Sequence, residues 1–234
     1  MNASSYVAFR FTTLLVAVAL GAQCVWLLLA ELSRPGIDQL PIDAASATAA
    51  AQQCDAALWA AAIGAIRGDL WAQSAYTYAD LVVGPNAANT WPNLTTAVAH
   101  ARASLNRALD DAPTQSGAWL LLAELALYYP TASADATQAL KMSYYTGPSE
   151  QRLIPIRLRV AAQADKFDDV EIQQFVSRDL RLLVARKQNA AIVEAYRTAS
   201  ADGKHFIEQS IGDFDPSFLD ALRASGAQLK SLPN

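Results

Sequence analysis

The first strong feature of the chain is an unbroken apolar run. Residues 11–30, FTTLLVAVALGAQCVWLLLA, carry no ionisable side chain apart from the thiol of Cys24. Twenty residues rising about 1.5 Å each give roughly 30 Å of helix, the thickness of a bilayer core. Arg10 precedes the run, Glu31 and Arg34 follow it, and Pro35-Gly36 ends any helical continuation. The pattern predicts a transmembrane helix over 11–30, a short cytoplasmic N-terminus over 1–10, and the bulk of the chain on the far side of the membrane. Two other readings stand beside it. A cleavable signal peptide with its apolar core at Leu14 to Leu20 would leave AQCVWLLLA as a greasy new terminus. A core helix of a soluble protein has the N-terminal position and the uniform apolarity against it. A lipoprotein signal at Cys24 is excluded by Gln23, which stands where a small residue is required.

Beyond the run, apolar positions recur at helical rather than strand spacing. Residues 31–43 hold two prolines and a glycine and read as a linker, with Asp43 placed to cap the Ala-rich stretch that follows. Gly68 is expected to stop that helix and Asp69 to cap the next, LWAQSAYTYADLVV, which accounts for the Arg67-Gly68-Asp69 tripeptide without an adhesive role. GPNAANTWPN, Gly84 to Asn93, is a predicted loop. A helix over Thr95 to Leu109 follows, then another within Gly117 to Leu127. A further helix places Val170, Ile172, Phe175, Leu180, Leu182 and Leu183 near one side, with Asp168 and Asp169 at its start and Arg186 and Lys187 at its end. NAAIVEAYRTAS forms another, ending before Ala201-Asp202-Gly203, and Asp215-Pro216 opens a last helix through Arg223. A tail over 226–234 should fray. The predicted fold class is all-α: a transmembrane helix, then antiparallel helical pairs over 44–225 arranged as an α-solenoid or a helical bundle.

One segment repeats. Ala101, Leu105, Ala108 and Pro113 return 35 residues later as Ala136, Leu140, Ser143 and Pro148. In the same register GAWLLLAELAL falls on RLIPIRLRVAA, with Trp119 becoming Ile154. Trp119, Leu122 and Ala123 open one unit; Trp71, Ala75 and Tyr78 open an earlier one. Over roughly residues 70–165 this resembles the tetratricopeptide repeat, a helix–turn–helix unit of about 34 residues. The resemblance implies stacked helical pairs, adaptor duty, and a groove that binds a peptide or a partner helix.

Composition narrows the chemistry. The net charge is −4 and the charged fraction 17%, below the usual ~25% because the apolar run is so large. A pI near 5.1 argues against nucleic acid as a partner. Cys24 and Cys54 fall on opposite sides of the predicted membrane boundary, so Cys54 reads as a small buried apolar residue. His100 and His205 have no second ligand at metal spacing. Asp213-Phe214-Asp215 and the Asp168, Asp169, Glu171 group are explained as helix-start chemistry. No phosphate loop or nucleophile motif is present, no cofactor is implied, and no catalytic residue is assigned. Between 152 and 187 eight basic residues face five acidic ones. Arg152, Arg157, Arg159, Arg178 and Arg181 are the candidate anion-binding group there, beside the simpler reading of a solvated, paired face. Tyr76, Tyr78, Tyr128, Tyr129, Tyr144 and Tyr145 are the candidate partner-binding residues, Trp119 and one of each adjacent tyrosine pair being expected in the core.

The expected function is a membrane-anchored, extracytoplasmic helical scaffold that binds another cell-envelope protein, in surface-polysaccharide assembly or secretion. Thirteen arginines against five lysines, with abundant alanine, fit a bacterium with a GC-rich genome. That places the anchor in the inner membrane and the helical part in the periplasm. Two alternatives come from other classes: an envelope enzyme using scattered carboxylates with His100 or His205, and a structural accessory subunit held through its anchor helix. The sequence sets no oligomeric state.

Overall fold

Ala, Leu and amphipathic charge patterns build helices throughout. The computed structural model describes residues 3–34, 36, 40, 44–83, 94–131, 135–164 and 168–228, and among them the chain is helical with no strand. The helices are α1 (Ala3–Leu32), α2 (Ala44–Ile63), α3 (Gly68–Val83), α4 (Leu94–Asp111), α5 (Ser116–Tyr128), α6 (Ala136–Thr146), α7 (Ile154–Gln163), α8 (Val170–Ala185), α9 (Asn189–Thr198), α10 (Ala201–Phe214) and α11 (Pro216–Gln228). A short 3₁₀ turn, Gln151–Leu153, leads into α7. Residues 35, 37–39 and 41–43 of the linker, the predicted loop over 84–93 and the tail beyond 228 lie outside the described residues, and the cap expected at Asp43 with them.

The apolar helix stands apart. Every residue from Phe9 to Leu29 is exposed, and the first buried one is Ala30, which packs on Ala61 and Leu70. The helix is longer than the predicted 11–30, because Ala3 to Phe9 offer no breaker on one side and Glu31-Leu32 continue it on the other.

The remaining helices associate as pairs. α3 lies between α2 and α4, and α5 packs on α6. α7 packs chiefly on α9, with α8 and α10 beside it. Ala57, Ala60 and Ala61 of α2 are fully buried, and side chains this small let α2 and α3 approach closely. Leu105, Leu120, Leu121, Leu125, Leu158, Leu180 and Leu183 are buried to within 1%, each contributing about 1.5–3 kcal/mol by removal from water. The two repeat tryptophans do the same thing. Trp71 Nε1 donates to the Ala65 carbonyl at 3.1 Å and Trp119 Nε1 to the Pro113 carbonyl at 2.8 Å, each six residues upstream in the preceding turn.

Helix starts are capped as the local sequence dictates. Asp135, Asp169, Ser200 and Asp215 each accept a backbone N–H of the first turn, worth about 1 kcal/mol apiece. Other expectations are corrected. Gly68 opens α3 instead of stopping α2; a Cβ there would stand 2.7 Å from the Ala112 Cβ. Asp69 is engaged by Arg67, at 2.6 and 3.1 Å, not as a cap. Ala201-Asp202-Gly203 is the first turn of α10 instead of a break. The last helix runs past Arg223 to Gln228. Val170 is 65% exposed because the buried side of α8 is Ile172, Val176, Asp179, Leu180 and Leu183.

Candidate functional site

The outward side of α8 carries Val170, Gln174, Arg178 and Arg181, spaced by four, four and three residues so that they form one stripe. Phe206 of α10 and Leu182 close its flank, and together they line an open cleft of about 690 Å³. Among the described residues no carboxylate lines this cleft. The Arg178 guanidinium carbon lies 5.7 Å from the Phe175 ring and that of Arg181 5.9 Å from the Phe214 ring, so aromatic faces hold both side chains along the helix. Arg178 reaches its neighbour Asp179 only at 3.8 Å. Arg181 has no carboxylate at ion-pair distance among the described residues. An apolar floor under two arginines suits the apolar side of a helix or peptide that also carries acidic groups.

A buried polar cluster supports α8 from inside. Tyr144 of α6, 1% exposed, donates its hydroxyl to Asp179 Oδ2 at 2.9 Å. The Tyr144 ring stacks on Phe175 with centroids 4.6 Å apart, and the Arg157 guanidinium lies 4.7 Å from its centre. Arg157 is fully buried; its Nε donates to Ser143 Oγ at 3.0 Å and one terminal nitrogen to the Ser143 and Gly147 carbonyls at 2.6 and 3.0 Å. Its other terminal nitrogen, Nη1, finds no hydrogen-bond partner among the described residues. Burial pushes the Asp179 carboxyl up to about 6, against the pull of the Tyr144 hydroxyl and the two arginines. The cluster ties α6, α7 and α8 together and sets the position of the cleft floor.

The predicted partner-binding tyrosines do not share one groove. Tyr76, Tyr78 and Tyr144 are buried, because they fill the space between paired helices. Tyr78 stacks on His100 at 5.1 Å. Tyr129 is half-buried and donates to the Val82 carbonyl at 2.7 Å. Tyr128 and Tyr145 are exposed. Tyr145 bonds Glu171 and meets Phe175 edge-on, which puts it at the N-terminal end of α8.

The predicted anion-binding arginines also separate. Arg178 and Arg181 meet in the cleft, whereas Arg157 is in the core and Arg159 is paired with the buried Glu124. Arg152 lies elsewhere, lining a smaller polar cleft of about 270 Å³ with Arg34, Gln73, Tyr76 and Glu150. His205 is exposed on α10, and the described residues hold no group of three metal-type ligands. Phe206 and Gln174 had no distinguishing pattern in the sequence, and only the packing of α10 beside α8 gives them a role.

No family model, curated protein or solved structure matches the chain.

Proposed function

We propose that the protein is a single-pass, membrane-anchored helical adaptor of a bacterial envelope, with α1 in the inner membrane and the body in the periplasm. The observation that carries this reading is the uncovered α1. A 24-residue apolar stretch, Phe9–Leu32, leaves its leucines, valines and aromatic side chains without protein cover, an arrangement that water penalises and a bilayer rewards. The adaptor half rests on the helical pairs and on the cleft along α8. The matched Trp71 and Trp119 hydrogen bonds, with the small and leucine positions Ala101, Leu105, Ala108 and Leu140, Ser143 buried in the corresponding helices, support a tetratricopeptide-like relation between the first two pairs. The partner is an envelope protein that offers an acidic, partly apolar helix to Arg178 and Arg181.

Membrane extraction and labelling of the full chain test the anchor. The protein should stay in the pellet after alkaline carbonate washing. A cysteine replacing Glu194 should react with an impermeant maleimide once the outer membrane is opened, and one replacing Asn2 should not. Release by carbonate, or the reverse labelling pattern, contradicts the reading.

A further inference from the structure

Outside α1, the most exposed large apolar side chains of the described residues are Ile66, 80% exposed, and Trp59, 67% exposed. Trp59 lies in the last two turns of α2, and Ile66 in the turn that follows the helix end at Ile63. Three contacts set the level of the α2–α3 turn against α1. Ala30 is buried on Ala61 and Leu70. Glu31 accepts from Arg67 at 3.0 Å. Arg34 donates to Gln73 at 3.0 Å. Moving from Glu31 to Arg34 therefore matches moving from Arg67 to Gln73, so α3 runs away from the apolar part of α1. The α2–α3 turn, residues 64–67, points back toward it.

We propose that this turn is a second membrane contact. On the reading that α1 spans the bilayer, on which this inference rests, Ala30 and Glu31 mark the membrane–water interface. Ile66 then lies at or inside that level, and Trp59 lies a turn or two of α2 further out. An indole and a branched aliphatic group suit the headgroup zone, where an apolar body and a polar edge are both accommodated. Charge does not oppose the approach. Arg67 is held between Glu31 and Asp69, and Arg34 lies against the same two acids, so the rim is balanced and presents no excess of negative charge to lipid phosphate. The helical body thus rests on the leaflet from which α1 emerges.

Depth-dependent quenching tests this with the full chain in vesicles of phosphatidylcholine and phosphatidylglycerol. Cys24→Ser and Cys54→Ala give a background free of native thiols, and circular dichroism checks that each variant stays helical. An environment-sensitive fluorophore is attached at Ile66→Cys, at Leu20→Cys inside α1, and at Glu194→Cys on α9; Trp59→Cys serves as an independent second position for the turn. Position 20 should be quenched most by lipid carrying a spin label deep in the acyl chain. Position 66 should be quenched at least twofold more than position 194 by a label near the headgroup. Position 66 behaving like 194 while position 20 is quenched overturns the second contact and leaves the anchor standing. Position 20 unquenched removes the anchor itself, and this inference with it. Position 66 shielded from aqueous iodide yet untouched by spin-labelled lipid means that protein covers the turn, which also overturns the proposal.

Discussion

The ionisation of Asp179 is coupled to the fold. Its carboxyl is raised from an ordinary 3.8 to about 6 by burial, so the folded chain keeps a proton that the unfolded chain has already released. Stability from this group is complete below about 3.8, falls as pH rises, and is lost once pH passes about 6. Asp179→Asn keeps an oxygen to accept the Tyr144 hydroxyl and removes the titration. Compared with the native chain by urea unfolding, it should gain stability steadily between pH 4 and 7, by roughly 2 kcal/mol at the upper end. A difference that does not vary with pH would contradict the assignment. Tyr144→Phe should cost about 1–2 kcal/mol by leaving Asp179 short of a donor. The sequence shows Asp179 as a polar residue at a core position of α8, between Val176 and Leu183, but not what pairs with it. Arg157 reads as surface charge for the same reason: its acceptors, Ser143 and the Gly147 carbonyl, come from another helix.

At the scale of elements, local chemistry was readable and long-range chemistry was not. Asp169 and Asp215 cap α8 and α11 as their sequence positions predict, because a cap needs only the next three residues. Gly68 and Gly203 read as breaks, yet both sit in the first turn of a helix where another helix comes too close for a side chain. At Gly203 the obstacle is the Ala162 carbonyl, which also accepts from the Ser200 backbone at 2.9 Å. Gly203→Ala should therefore push α10 off α7 and cost about 2–3 kcal/mol. Gly212, in the same helix, would give its Cβ only an ordinary 3.5 Å contact with Leu219. Gly212→Ala should instead stabilise by about 0.5–1 kcal/mol through helix propensity. Urea midpoints moving in opposite directions for the two variants are the expected result, and parallel shifts would mean that the α7–α10 approach is not what constrains Gly203. The repeat periodicity belongs to this scale as well. It came from helix ends and small residues, and says nothing of the cleft, which needs α8 and α10, beyond the repeated stretch.

Among the described residues, apolar surface goes into a core between helical pairs, a long helix left bare, the exposed turn with Trp59 and Ile66, and a cleft with cationic walls. The long apolar helix was readable from residues 11–30 because length and apolarity are properties of one segment. The cleft was half readable. Arg178 and Arg181 stood out as basic residues, but of the tyrosines expected to line a groove Tyr76, Tyr78 and Tyr144 went into the core, since paired helices need bulky apolar fillers more than a groove does. Site-directed photocrosslinking in native membranes tests the adaptor claim most directly, with a photoreactive residue at Gln174 in the cleft and a control at Glu194 on α9. A single protein adduct is expected from position 174, absent from position 194. The adduct should fall at least tenfold when Arg178→Glu and Arg181→Glu are combined, while the membrane content of the chain stays unchanged. An adduct that survives the double charge reversal, or no protein adduct from position 174 at all, contradicts a partner docked in this cleft.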